Sequence, residues 1–334
     1  MLPCGRAGEE DVVRAFARSA LFVALCLCVS CERNAAQGWP NKPIRFIAPF
    51  AAGGPADTIG RLIGYRLSND LGQQVIVENR PGAGGNIGTA AVAKSAPDGY
   101  TALVTTSAFA VNVTLSTASG YDAEKDFIPT ALIASQPNAI IVSATLPAQN
   151  LGDLLTWAKT AKPGFATPGS GTTPHLTAEH LFRSVAKLDM TPIHFKGAAP
   201  AITAIIGAQP PVGSAAVSTA LPHIQSGKLR ALAVSSAKRI AALPDVPTLA
   251  EAGVPGIEDY TWIGLFLPAG TPPAIVKRFN DAVNRALQDP ETRAQLERQA
   301  YQPVGGTPQE FKDYVKAEIA KWGKVVREAN IQAE

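Results

Sequence analysis

Beyond residue 31 the chain has no cysteine, since Cys4, Cys26, Cys28 and Cys31 are all it contains. The downstream chain therefore has no disulfide, no thiol nucleophile and no thiolate metal site. Histidine is scarce too, at four residues: His175, His180, His194 and His223. His175 and Glu179 share a helical face four residues apart, but neither an H-E-x-x-H motif nor a three-ligand cluster accompanies them, so no metal is expected. Charged residues make up 17% of the chain, the formal net charge is +3, and there is no basic run. Nucleic acid is not an expected partner. No G-x-S-x-G elbow, nominable triad or paired acids are present, so no catalytic residue is expected. No Walker lysine follows a glycine run. The loop Pro81-Gly82-Ala83-Gly84-Gly85-Asn86-Ile87-Gly88 misses the dinucleotide spacing, because its third glycine would fall on Ile87, and no acid closes the strand at 101–105. It reads as a tight strand-to-helix turn, and no cofactor is expected. The uncharged stretch between Lys196 and Lys228 contains Pro200, Pro210, Pro211 and Pro222, which rule out a membrane helix and mark a buried core. No short-period repeat is visible.

What the sequence does have is bulk and alternation. Its 334 residues, 46% of them hydrophobic, suffice for two domains of about 100–200 residues each. Residues 1–36 read as a leader. Arg14 and Arg18 precede an apolar run at 20–30, too short to span a bilayer, and Asn34-Ala35-Ala36 follow it, as in an export signal. The acidic Glu9-Glu10-Asp11 is foreign to such a segment and points to a start further downstream. Cys31 raises lipid anchoring, and Cys28 three residues earlier argues against it. Because Arg6, Arg14, Arg18 and Arg33 balance Glu9, Glu10, Asp11 and Glu32, loss of the leader keeps the charge at +3. An exported, cysteine-free body fits a bacterial periplasm.

Short β-rich runs alternate with helical runs throughout, which predicts an α/β fold with largely parallel sheets. Strands are expected at 44–50, 75–78, 101–105, 165–167, 191–195, 212–217, 229–235 and 260–267. Helices are expected at 56–71, from the glycine loop through 96, at 151–161, 174–186, 200–207 and 221–226, in a short turn ending at 252, and at 273–287 and 308–329. A polar loop with Asn112, Thr114 and Tyr121 follows the third strand, and 127–142 reads as extended chain crossing between two lobes. Two stretches share one layout of strand, glycine turn and proline-led helix. The first runs through Phe50-Ala51-Ala52-Gly53-Gly54-Pro55-Ala56-Asp57, the second through Gly169-Ser170-Gly171-Thr172-Thr173-Pro174-His175. Proline suits a first helical position, and the unpaired amides of such a start attract an anion. Asp57 reaches back to the turn amides as a cap or meets a ligand. His175 likewise donates to a ligand oxygen or caps its own helix.

Several ordered motifs resemble one family, the Bug receptors, which are the periplasmic solute-binding proteins of tripartite tricarboxylate transporters. They are Trp39-Pro40-Asn41-Lys42-Pro43-Ile44-Arg45, Pro49-Phe50 with Gly53-Gly54 and Asp57, and Val77-Glu78-Asn79-Arg80-Pro81-Gly82-Ala83-Gly84-Gly85. Pro97-Asp98-Gly99-Tyr100-Thr101, Lys125-Asp126-Phe127, Gly227-Lys228-Leu229-Arg230-Ala231-Leu232-Ala233-Val234, Leu243-Pro244-Asp245-Val246-Pro247-Thr248 and Pro268-Ala269-Gly270-Thr271-Pro272 continue the likeness. The resemblance implies a two-lobe, type II periplasmic-binding-protein (Venus-flytrap) fold. Lobe 1 would comprise 37–138 and 262–334, and lobe 2 would comprise 139–261. It implies a monomer that holds a small carboxylate and delivers it to membrane transporter subunits. By position, the ligand contacts would be Phe50, Ala52, Gly53, Gly54, Asp57, Thr106, Ser107, Ser170, Gly171, Thr172, Thr173 and His175, with Ser214 and Ala215 beyond the 212 strand. Family members usually carry Phe where Ser214-Ala215-Ala216 stands, and amino-acid binders carry Asp there. A ligand without an amine, such as a dicarboxylate, tricarboxylate or aromatic acid, is therefore expected. A sensor that presents its ligand to a signalling kinase needs the same clamp, and neighbouring genes would separate the two. An enzyme on the same fold, or a receptor that has lost its transporter, are the remaining alternatives.

Overall fold

The computed structural model describes residues 38–116, 118–328 and 331. The leader, with Cys31, lies outside them. Of the unit ending at Asn41, only Gly38–Asn41 are described, and the account below concerns the unit that begins at Lys42.

The chain opens with β1 (Ile44–Ala48), α1 (Pro55–Leu71), β2 (Val75–Asn79), α2 (Asn86–Ala93), β3 (Thr101–Thr106) and α3 (Ala108–Leu115). It continues through β4 (Phe127–Ser143), α4 (Leu151–Ala161), β5 (Phe165–Thr167), α5 (Thr173–Glu179), β6 (Pro192–His194) and α6 (Ala198–Ile206). Then come β7 (Val212–Ala216), α7 (Val217–Gln225), β8 (Leu229–Val234), β9 (Tyr260–Pro268), α8 (Pro273–Gln288), α9 (Pro290–Arg298), β10 (Gln302–Pro303) and α10 (Pro308–Glu328). β1 is buried at four of five positions, as expected of a strand covered on both faces. α1 starts with proline, which needs no amide partner, and stops at Gly72 in the left-handed region, where only glycine is unstrained. Ile59, Ile63 and Leu67 face the sheet and are fully buried.

Two sheets form. The first runs β2-β1-β3-β9-β4, parallel among β1, β2 and β3 and antiparallel beyond them, with β10 also on β4. The second runs β6-β5-β7-β4-β8. β4 belongs to both: its residues up to Pro137 pair with β9, and from Asn138 onward it pairs with β7 and β8. The first sheet's core is aromatic, with Phe109, Trp262, Phe266, Phe311 and Trp322 packed together. The second has one cluster around Phe165 and Phe182 and another around Ile202 and Ile205 on its opposite face.

Three local expectations are corrected. The segment expected as a polar loop is α3, whose Ala108–Val111 and Asn112 are all buried. Because it is covered on both sides by α10 and the sheet, it shows no amphipathic stripe. α7 begins at Val217, not 221: the Ser218 N–H donates to Gln136 Oε1 at 2.7 Å, a cap supplied from β4 that local pattern cannot reveal. α9 lies where the sequence pattern predicts no helix, and it is started by Asp289, whose side chain accepts from the Thr292 N–H. Among the described residues no helix is long and apolar enough to cross a membrane.

Candidate functional site

The site grows from one repeated local event. β1, β3, β5, β6 and β7 each end where a helix begins, and ligands of such sheets sit beyond the strands' carboxyl ends. Here five of those junctions line a single chamber: Gly54 and Pro55 at the start of α1, Thr106 before α3, Thr172 to Pro174 at α5, Ala198 at α6 and Ala216 before α7. Phe50, Pro168 and Thr261 complete the wall. The first N–H groups of a helix have no intrahelical partner, and the helix dipole is positive there. The lining contains no ionised side chain of either sign. Two of these starts are already served in part, the Ser218 N–H by Gln136 Oε1 and the Ala108 N–H by Thr106 Oγ1; the remaining start amides favour an anion over an ammonium group. The chamber's volume is about 30 Å3, because the two sheets' loops meet around it.

That meeting is specific. The Ala51 N–H donates to Lys196 O at 2.9 Å. Within the first sheet's loops the Asn112 amide donates to Gly84 O at 3.0 Å, and across the gap a Cβ built on Gly84 would clash with Ser170 O. A chain of hydroxyls crosses at depth: Ser107 Oγ to Thr173 Oγ1 at 3.0 Å, Thr173 Oγ1 to Thr261 Oγ1 at 2.7 Å, and Thr261 Oγ1 donating to Asn138 Oδ1 at 2.7 Å. Each hydroxyl has one proton. Thr261 spends its proton on Asn138, so Thr173 donates to Thr261 and Ser107 donates to Thr173.

The chain ends at Asp259. Asn138 Nδ2 donates to its Oδ1 at 2.6 Å, and Thr177 Oγ1 lies 2.8 Å from its Oδ2. The same Thr177 hydroxyl is 2.8 Å from Thr173 O, and its single proton cannot serve both. Near neutral pH Asp259 is ionised and accepts from both Asn138 and Thr177; below its folded value a proton on Asp259 would donate to Thr177 instead, freeing the Thr177 hydroxyl for Thr173 O. Burial pushes the Asp259 carboxyl up to about 6, against the hydrogen bonds from Thr177, Asn138 and Ser235 and the more distant Lys321 charge.

The predicted site residues fall into three groups. Phe50, Gly54, Thr106, Thr172 and Thr173 line the chamber. Ser170 lines an adjoining compartment, which Phe50 also borders. The others line neither: Ala52 and Gly53 are exposed, and Ser107 is buried in the hydroxyl chain. Gly171 packs on Asn112, where a Cβ would meet Oδ1. Ser214 and Ala215 are fully buried in β7. Asp57 accepts from the Gly53 N–H at 3.0 Å and from Arg61. Burial pushes its carboxyl up, but Arg61, the Gly53 amide and Asn79 outweigh that and hold it below its usual value. His175 accepts the Gly171 N–H at Nδ1 and packs edge-on against His194 at 4.5 Å. Burial, with the charges of His194 and Arg183, depresses it to about 3, so the ring is neutral with its proton on Nε2.

Sequence reasoning passed over two contributors. The helix start at Ala198 was placed two residues late, although Gly197 marks it. The glycine loop at 82–85 is more than the turn its pattern suggests: with Asn86, Asn112, Gly169, Ser170 and the 194–196 segment it walls the adjoining compartment of about 280 Å3. Among the described residues no three His, Cys, Asp or Glu side chains gather as metal ligands.

Comparison with known proteins places this geometry. The description "Tripartite tricarboxylate transporter family receptor" matches residues 59–331. Protein BugT of Bordetella pertussis is 37% identical over 300 residues, covering 88% of this chain and 91% of BugT. Among solved structures, Rhodopseudomonas palustris Rpa4515 with adipate superposes at a TM-score of 0.85 with 34% identity, covering 88% of this chain and 99% of that one. MatC of Rhodopseudomonas palustris with bound malate gives 0.83 with 32% identity, covering 86% and 100%.

Proposed function

This chain belongs to the tripartite tricarboxylate transporter receptor family, and we propose that it captures a small, amine-free carboxylate between two lobes. We further assign it to the periplasm, as a monomer that hands its ligand to the membrane subunits of such a transporter. The observation that carries the reading is a pair of adjoining spaces at the helix starts: the chamber, whose lining has no ionised side chain, and the compartment of about 280 Å3 beside it, which no acidic side chain lines. The proteins that resemble it with adipate and with malate bound support a carboxylate as the class of ligand. The absence of any acidic side chain from the chamber lining, with Ser214 and Ala215 buried behind it, argues against an amino acid.

The mechanism follows from the contacts. Lobe 1, residues 37–138 and 262–334, carries the α1 and α3 starts, and lobe 2, residues 139–261, carries those of α5, α6 and α7. The change of β4's partners at Asn138 supports that boundary. A carboxylate touching both sets of amides is held fully only when the lobes are together, so it shifts the equilibrium toward closure, and the closed form is what the membrane partner recognises. Isothermal titration calorimetry with malate, citrate, adipate and benzoate against aspartate and glutamate tests this. Amine-free acids are expected to bind, and their amino counterparts to bind at least about tenfold more weakly, the loss of one buried compensated charge. Binding of none of the acids, or preference for aspartate over malate, overturns the reading.

A further inference from the structure

We propose that Asp259 takes up a proton when the chamber takes up a carboxylate, so that ligand affinity falls as Asp259 ionises. This rests on the carboxylate-binding reading and adds to it a control by pH.

The surroundings of Asp259 leave its charge uncompensated. It stands just before β9, where the chain crosses between the sheets, and is 3% exposed. Its side chain is bonded by Asn138 Nδ2 of β4 and Thr177 Oγ1 of α5, both neutral. Just beyond β8, the neutral Ser235 hydroxyl donates to its main-chain carbonyl. No ion pair reaches it among the described residues, and Lys321 of α10 acts on it only from a distance. Its neighbours in sequence are Glu258, which is exposed, and Tyr260, whose hydroxyl donates to Glu258. On α5, His175 and Glu179 each stand two residues from Thr177 and so project from the opposite side of the helix.

Two short paths join this carboxyl to the chamber. Thr177 Oγ1 lies 2.8 Å from both Asp259 Oδ2 and Thr173 O. Asn138 spans Asp259 Oδ1 at 2.6 Å and Thr261 Oγ1 at 2.7 Å. Thr173 and Thr261 both line the chamber, so a carboxylate there lies on the order of 10 Å from Asp259. At an effective permittivity of about 20, two negative charges at that range weaken binding about tenfold. A proton removes the repulsion, and Asp259 accepts it readily, because burial has already pushed its carboxyl up to about 6. By linkage, the carboxylate strengthens proton binding by the same factor as the proton strengthens carboxylate binding.

The test is calorimetry on the full chain with adipate and with malate, in buffers of different ionisation enthalpy. It runs at pH 6 and pH 8, above the range where carboxylic acids ordinarily titrate. Binding is expected to be about fivefold tighter at pH 6, with about half a proton taken up per ligand near pH 6.5. Asp259→Asn keeps the shape of the neutral acid, and its Nδ2 donates to Thr177 as the acid proton would. It is expected to bind equally well at both pH values and to take up no proton, with a thermal melt to separate this from misfolding. The proton count on the parent decides even if that variant misfolds. His194, on the compartment wall, is the other nearby group of a type that titrates in this range. His194→Gln is expected to keep the linkage, whatever its effect on affinity. Binding independent of pH with no proton taken up overturns the proposal and leaves the carboxylate reading intact. So does linkage that persists in Asp259→Asn or vanishes in His194→Gln. If neither acid binds at either pH, both fall.

Discussion

Asp57 and Asp259 are both buried aspartates, yet they bias the protein in opposite directions because of what surrounds them. Asp57 has Arg61 and the Gly53 amide, so its carboxylate is favoured. Its contribution is present above the usual carboxylate range and is lost as pH falls through its depressed folded value. Asp57→Ala should cost about 1 kcal/mol in urea unfolding at pH 7, the usual loss for a helix-start cap. Asp259 has neutral donors and deep burial, and its carboxyl sits at about 6. The unfolded chain then ionises first, near pH 4, so stability falls as pH rises from about 4 to about 6 and is flat above that. The size is roughly 3 kcal/mol. Asp259→Asn should abolish this component, visible as a difference between the two proteins' pH–stability curves. Parallel curves would show that Asp259 is ionised throughout. The sequence made Asp57 legible because its partners lie within four residues. It hid Asp259, whose partners Asn138 and Thr177 lie 121 and 82 residues away.

At the level of elements, what could be read locally was read well. The proline-led starts, the glycine stop of α1 and the apolar face of α8 declare themselves within one or two turns of chain. The failures share a cause: α3 lacks a stripe because two neighbours bury it, and α7 takes its cap from β4. The glycine loop at 82–85 is the most instructive case, since its glycines answer to a partner and not to a nucleotide. Gly84 has φ of +61° and a Cβ there would clash with Ser170 O. Both are backbone positions, so neither can rotate away. Gly84→Ala pays about 1–2 kcal/mol of local strain from the left-handed conformation, but its larger effect should fall on closure. Ligand affinity is expected to drop at least tenfold, about 1.4 kcal/mol, with the apo melting temperature lowered by only a few degrees. Small-angle scattering should show the variant staying extended at ligand concentrations that compact the parent. Unchanged affinity would mean that this contact plays no part in the bound state.

For the molecule as a whole, the question is whether the two sheets behave as one thermodynamic body. Type II binding proteins are drawn as two lobes on a hinge, which suggests two domains that unfold separately. The connections here argue otherwise. β4 is a single strand of 17 residues shared by both sheets, and β9 pairs with it as far as Pro137. Immediately beyond, Asn138, Thr261, Asp259 and Thr177 form a buried polar knot. Melting either sheet would strip half of β4 of its partners and leave that knot unsatisfied, at a cost of about 1–3 kcal/mol for each buried group. Unfolding without ligand should therefore be one transition, with calorimetric and van't Hoff enthalpies equal. A ligand that touches both sheets should then raise the whole transition by RT ln(1 + [L]/Kd), about 2.7 kcal/mol at a hundredfold excess over Kd, without splitting it. Differential scanning calorimetry with and without adipate decides the matter. Two apo peaks, only one of which moves with ligand, would show that the lobes are independent and that the shared strand couples their geometry but not their stability.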